Sequence, residues 1–152
     1  GGKLMSIFLG GTGSANELDD FEIGTFTPSL TTQNSALTVS YNTRNGVYTK
    51  IGNFVYFQIY IRLSAKSGGS GQLRITGLPF SASSASGAAY GGAVMVYSYN
   101  QSGSNAFNRM MIGSGSNEIQ CFNGLNNGTN ENAGAGNLNN DTQLRLFGSY
   151  RV

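Results

Sequence analysis

The chain has no histidine and only one cysteine, Cys121. Without an imidazole, Ser–His–Asp and Cys–His nucleophilic arrangements are impossible, and the commonest acid–base group at neutral pH is missing. The same two absences remove the usual zinc ligands. Charge is scarce too: Asp, Glu, Lys and Arg make up 11% of 152 residues, with a formal net charge of +2. The nine basic residues are scattered, whereas a nucleic-acid backbone footprint wants them in a stripe. No apolar run approaches membrane-spanning length, and the opening GGKLMSIFLGG lacks the basic n-region and long h-region of a signal peptide. The expectation is therefore a protein with no nucleic-acid partner, no membrane insertion, no metal and no cofactor.

What is present is glycine, 23 residues of it, with abundant Ser, Asn and Thr, so the surface is polar through hydroxyls and amides. Secreted and virion β-proteins often have this texture. A chain of this length buries roughly two thirds of its unfolded surface, enough for one domain with a real core. The clearest element is VYTKIGNFVYFQIYIRL, Val47 to Leu63. From Phe54 onward it alternates with period two, placing Val55, Phe57, Ile59, Ile61 and Leu63 on one face and Phe54, Tyr56, Gln58, Tyr60 and Arg62 on the other. The aliphatic face belongs to a core. The opposite face is aromatic, which is unusual for a surface that meets only water. Gly52-Asn53 supplies a tight turn, so Val47–Ile51 is its hairpin partner.

Short alternating runs separated by Gly, Asn and Ser clusters predict further strands near Thr25–Leu30, Ala36–Tyr41, Gly46–Ile51, Gln72–Gly77, Gly91–Tyr99, Phe107–Ile112, Ile119–Asn123 and Gln143–Val152. The fold class expected is all-β, an antiparallel β-sandwich of jelly-roll type. Its core would hold Val55, Phe57, Ile59, Ile61, Leu73, Ile75, Val94, Val96, Met110, Ile112, Leu144 and Leu146, with Cys121 as a small buried apolar residue. Ser64–Gly71 reads as a flexible hairpin loop. Leu78-Pro79-Phe80 ends a strand, because proline donates nothing to a ladder.

Residues 1–22 read as an N-terminal linker segment and residues 23–152 as the β-domain, the division that the resemblance described below would make a shaft and a head. Four of the seven acids, Glu17, Asp19, Asp20 and Glu22, crowd into the first segment, where Lys3 is the only base. Ser14 and Glu17 have the spacing of a capping box, which predicts one or two helical turns; the alternative is an acidic linker without structure. Leu4–Leu9 is an isolated apolar strand that needs a partner. At the other end, GLNNGTNENAGAGNLNND, Gly124 to Asp141, has almost no apolar content and predicts a long surface loop, either a solvated excursion or a recognition tip.

Chemistry has few places to reside. Paired carboxylates exist at Asp19, Asp20 and Glu22, but a helix start explains them more simply. Calcium is conceivable only in an oxygen-rich loop such as Asn137 to Asp141, whose spacing does not match an EF-hand. Sugar binding needs only an aromatic platform beside amides and hydroxyls. Tyr90, Tyr97, Tyr99 and Phe107 with Asn100, Gln101, Ser102 and Asn105 offer one, unless those rings pack in a core or subunit interface.

Three blocks, GGTGSANELDDFEIGTFTPSL (Gly10–Leu30), GVYTKIGNFVYFQIYI (Gly46–Ile61) and ITGLPF (Ile75–Phe80), resemble a module recurrent in structural proteins of tailed bacteriophages, usually the C-terminal head of a tail fibre. Where those relatives commonly carry Tyr, Glu and Trp, this chain has Phe21, Ile23 and Phe26. The blocks look structural and carry over no catalytic residue. The resemblance implies a homotrimer in which the first segment continues a shaft and the head forms a knob on the virion. The interface expected is Leu4, Ile7, Leu9, Phe54, Tyr56 and Tyr60. Contacts with a host surface glycan or protein are expected at Asn126, Asn127, Asn130 and Asn132, with Tyr97, Tyr99 and Asn105 as a second group. Other virion proteins would be its neighbours. The rivals are an architectural or capsid decoration module with no receptor, and a fragment of a polysaccharide depolymerase using Glu118, Glu131 or Asp141; no enzyme is the expectation.

Overall fold

A computed structural model describes residues 7–8, 17–18, 20–85, 90–101, 107, 109–124 and 130–152. Twelve strands account for most of them: β1 (Ile7–Phe8), β2 (Glu17–Leu18), β3 (Phe21–Phe26), β4 (Ser29–Thr32), β5 (Ser35–Ile51), β6 (Phe54–Ser70), β7 (Leu73–Thr76), β8 (Tyr90–Gln101), β9 (Arg109–Gly113), β10 (Ile119–Gly124), β11 (Asn130–Asn132) and β12 (Leu138–Arg151). One 3-10 turn, Ala135–Asn137, precedes β12.

Among the described residues every strand pairing is antiparallel. β1 and β2 form a small ribbon; the remaining strands form one sheet in the order β3-β5-β6-β12-β8-β9-β10-β7-β4, with β11 on β10. The all-β class is as expected. Its form is different: instead of two separate sheets in a jelly-roll, one sheet curls into a half-barrel and encloses its own core. The curl brings β4 back against β5, where the Leu30 N–H donates to Tyr41 Oη at 2.8 Å and Arg44 Nη1 donates to Ser29 Oγ at 2.8 Å.

The hairpin at Gly52-Asn53 forms as the sequence implies, with Ile51 opposite Phe54 and Gly52 at φ +56°. Positive φ at the first loop position belongs to the turn family whose twist suits a two-residue hairpin. The hairpin is longer than expected, because each arm runs 17 residues. Ala36–Tyr41 and Gly46–Ile51 are one strand, joined through register shifts around Tyr41. Ser64–Gly71 is not a loop: Ser64 to Ser70 belong to β6 and pair with the start of β5. Small polar residues hide strand periodicity there, since neither face is apolar enough to show it.

The Gly124–Asp141 loop is corrected as well. Asn130–Asn132 pairs with β10, Ala133, Ala135 and Leu138 are buried, and β12 begins at Leu138. The Leu73 N–H donates to Ala133 O at 2.6 Å and the Ala133 N–H donates to Cys121 O at 3.1 Å, so this segment fills the gap where β7 and β10 diverge. At Glu17–Leu18 the chain is extended and pairs with Ile7 and Phe8, so a helix does not form at those two residues. A helical turn is costly to nucleate, and the ribbon satisfies the same backbone groups. Ser14 lies outside the described residues, as do Leu4 and Leu9.

Of the twelve expected core residues, eleven are buried, and Val96 packs partly buried against them. Leu30, Leu63, Leu78, Ala82, Phe107, Ile119, Cys121, Ala133, Leu138 and Tyr150 complete the buried cluster among the described residues. Burial pushes the Cys121 thiol far above its usual range, which makes it inert. Tyr150 is inside with its ring 5.9 Å from Phe57, and its hydroxyl donates to Phe80 O at 3.1 Å. Gly46 and Gly24 have a packing role: a Cβ at Gly46 would lie 2.5 Å from the Phe26 ring, and one at Gly24 2.7 Å from the Tyr48 ring. These two rings close the end of the core near Phe80.

Candidate functional site

Because β3, β5, β6, β12 and β8 are neighbours in register, their outward side chains stand in cross-strand rows. Read along the register, one row is Phe21, Ile51, Phe54 and Arg151; the next is Ile23, Thr49, Tyr56 and Ser149; then Thr25, Val47, Gln58, Phe147 and Met95. Beyond them come Asn45, Tyr60, Arg145 and Tyr97, and finally Thr43, Arg62, Gln143 and Tyr99. Among the described residues, ten large apolar or aromatic side chains are between 40 and 68% exposed. All ten lie in these five rows. Scattered apolar surface is ordinary, but a contiguous field of this kind marks a contact surface.

The field is graded. The first three rows carry Phe, Ile, Val, Met and Tyr; the last two carry amides, guanidinium groups and tyrosines. Two open grooves cross the field, each about 600 Å³. The first runs between Tyr56, Met95 and Phe147 over the small side chains of Thr49 and Ser149. The second lies between Asn45, Gln58, Tyr60, Tyr97, Arg145 and Phe147. Val47, Gln58 and Phe147 line both. In the second groove the Arg145 guanidinium is 5.3 Å from the Tyr60 ring centre and 5.9 Å from that of Tyr97, a double cation–π contact. Arg62 reaches Asp141 Oδ1 at 3.0 Å at the far edge, and Tyr60 Oη donates to Gln143 Oε1 at 3.3 Å.

The free edge of the field is β3. Its strand is held by Lys50 bonded to Asp20 and by Tyr48 Oη donating to Glu22. That bond to the Glu22 carboxylate, with burial and the carboxylate's charge behind it, raises the Tyr48 hydroxyl above its ordinary value. Ile23, the most exposed of the ten at 68%, stands on this edge.

Phe54, Tyr56, Tyr60, Tyr97 and Tyr99 therefore share one face, which joins two groups that the sequence left apart. Phe54 is 47% and Tyr56 52% exposed, while Tyr60 is partly covered by Arg145. Asn130 and Asn132 lie in β11, in the part of the sheet remote in pairing order from this field. Ile7 pairs with Leu18 in the ribbon. Asn105, Asn126 and Asn127 lie outside the described residues. The sequence reading missed Phe147, Met95 and Arg145, although Arg145-Leu146-Phe147 alternates as clearly as β6 does. Val47, Ile51, Phe21 and Ile23 emerge only when register places them beside Phe54 and Tyr56.

Four carboxylates have partners: Asp20 with Lys50, Glu22 with Tyr48, Glu118 with Arg74, and Asp141 with Arg62. No group of three or more His, Cys, Asp or Glu gathers to hold a metal among the described residues. No helix there is long and apolar enough to cross a membrane.

No family model matches the chain, and no curated protein matches it. Among solved structures, the fold is similar to part of the Dettilon tailspike protein, with a TM-score of 0.67 and 20% identity over 86% of this chain. The chain spans about a quarter of that protein's length, 24%. The likeness establishes a shared curled β architecture.

Proposed function

We propose that this chain is a non-enzymatic head module of a bacteriophage tail appendage, part of the virion, that assembles as a homotrimer and presents a receptor-binding surface to the host. One observation carries the reading: all ten exposed large apolar and aromatic side chains occupy a single sheet face. A solitary subunit in water gains nothing from such a field, whereas three copies packed around an axis bury its apolar rows without disulfides or metal. The edge strand β3 supports the same conclusion, since an open hydrophobic edge invites pairing unless a neighbour covers it. Similarity to a tailspike fold and the three resembling blocks supply the viral context. The separate ion pairs of Glu118 with Arg74 and of Asp141 with Arg62 favour a binding role over polysaccharide cleavage.

Sedimentation equilibrium at micromolar concentration tests this reading. Three times the subunit mass is expected; a stable monomer would overturn the assembly. Saturable binding to host cells separates a receptor-binding head from a purely architectural one.

A further inference from the structure

We infer that the groove around Arg145 is a binding site for a carboxylate-bearing carbohydrate, one containing a uronic or sialic-type acid. This deepens the receptor-binding part of the reading above and rests on it. Arg145 is exposed, yet its guanidinium is held between the Tyr60 and Tyr97 rings. The three ion pairs of the described residues use Lys50, Arg62 and Arg74 and leave Arg145 without a carboxylate. The two rings pre-position the cation, and a planar guanidinium matches a carboxylate with two parallel hydrogen bonds.

The surroundings fit a sugar better than a peptide. Tyr97 is 57% exposed and offers a ring face, while Asn45 and Gln58 supply amide donors and acceptors along the groove. Its open volume of about 610 Å³ is of the size of small-molecule sites. Asp20, Glu22, Glu118 and Asp141 are each engaged within their own subunit and do not compete for Arg145. In this arrangement the groove keeps Asn45, Tyr60, Tyr97 and Arg145 open on its polar side, while its Phe147 rim meets a sibling subunit. Three such grooves on one trimer would add avidity to weak individual sites.

The test is titration of the intact chain with a set of acidic oligosaccharides containing uronic or sialic acid, against their carboxyl-reduced neutral counterparts, with solution mass measured on the same samples. Saturable binding of an acidic member is expected, with the neutral form at least roughly tenfold weaker. Arg145→Gln should weaken it by roughly ten- to a hundredfold at unchanged mass, and Arg145→Lys should restore part of it. Tyr97→Ala should weaken acidic and neutral forms alike. Equal binding of neutral and acidic sugars, an unchanged affinity in Arg145→Gln, or no binding across the set would overturn the site. A monomeric mass with Arg145-dependent binding would instead leave the groove standing and remove the trimer.

Discussion

Phe147→Ser gives the sharpest perturbation of the outer face, because Phe147 sits at its centre, opposite both Gln58 and Met95. The ring is 48% exposed. A phenylalanine carries on the order of 200 Å² of surface, so about 100 Å² of ring still faces water in the lone subunit and would be buried between copies. At about 25 cal/mol per Å² this is about 2.5 kcal/mol for each interface, equivalent to roughly 70-fold in its association constant. Sedimentation across a dilution series should show the variant dissociating at concentrations where the parent remains assembled. The matched control is Tyr99→Ser, somewhat more exposed at 57% but in the polar row, which should leave the mass unchanged. Thermal unfolding of both variants, followed alongside, identifies any loss that comes from the subunit itself. Equal masses for Phe147→Ser and the parent at every concentration would refute the reasoning, as would equal losses in both variants.

Three further outcomes concern the subunit. Tyr150 is buried and its hydroxyl is pushed up to about 12 by burial, from the ordinary value near 10. A folded value above the unfolded one means that the neutral form is favoured inside, so its contribution is intact below about pH 10 and lost as pH rises toward 12. Tyr150→Phe should flatten that part of the alkaline unfolding curve measured by circular dichroism; an unchanged slope between pH 10 and 12 would contradict the assignment. Gly92→Ala should destabilise by roughly 1–3 kcal/mol in urea, because a Cβ there overlaps the Ser149 carbonyl, which is backbone and cannot swing aside. Gly24→Ala meets only the movable Tyr48 ring and should cost less, and the reverse ranking would be wrong for this packing. Leu144→Ala, fully buried on the central strand β12, should lose about 2–5 kcal/mol, and a loss below 1 kcal/mol would show that the site is not sealed.

Alternation made the middle of this fold legible. Val55 to Leu63, Leu144 and Leu146, and Met110 and Ile112 each declare a buried face by period two, and that face needs only local sequence. Segments whose partners are remote were harder. Ser64 to Ser70 and Ala133 to Leu138 are built from small polar residues, and they become strand or core only because β5, β7 and β10 are there to receive them. The curl of the sheet is not legible either, since alternation assigns faces but not the order in which strands pair. The candidate site shows the same division. Phe54, Tyr56 and Tyr60 declare an aromatic face on their own, whereas the breadth of that face comes from four neighbouring strands whose register no local pattern fixes.

The claim beneath all of this is that sibling subunits cover the apolar rows. Hydroxyl-radical footprinting read residue by residue addresses it directly, with Tyr56, Met95 and Phe147 as reporters and Tyr99 as the exposed reference. Protection of the three at high concentration, lost on dilution together with the fall in mass while Tyr99 stays reactive, is the expected result. Full reactivity of Tyr56, Met95 and Phe147 at every concentration would contradict it.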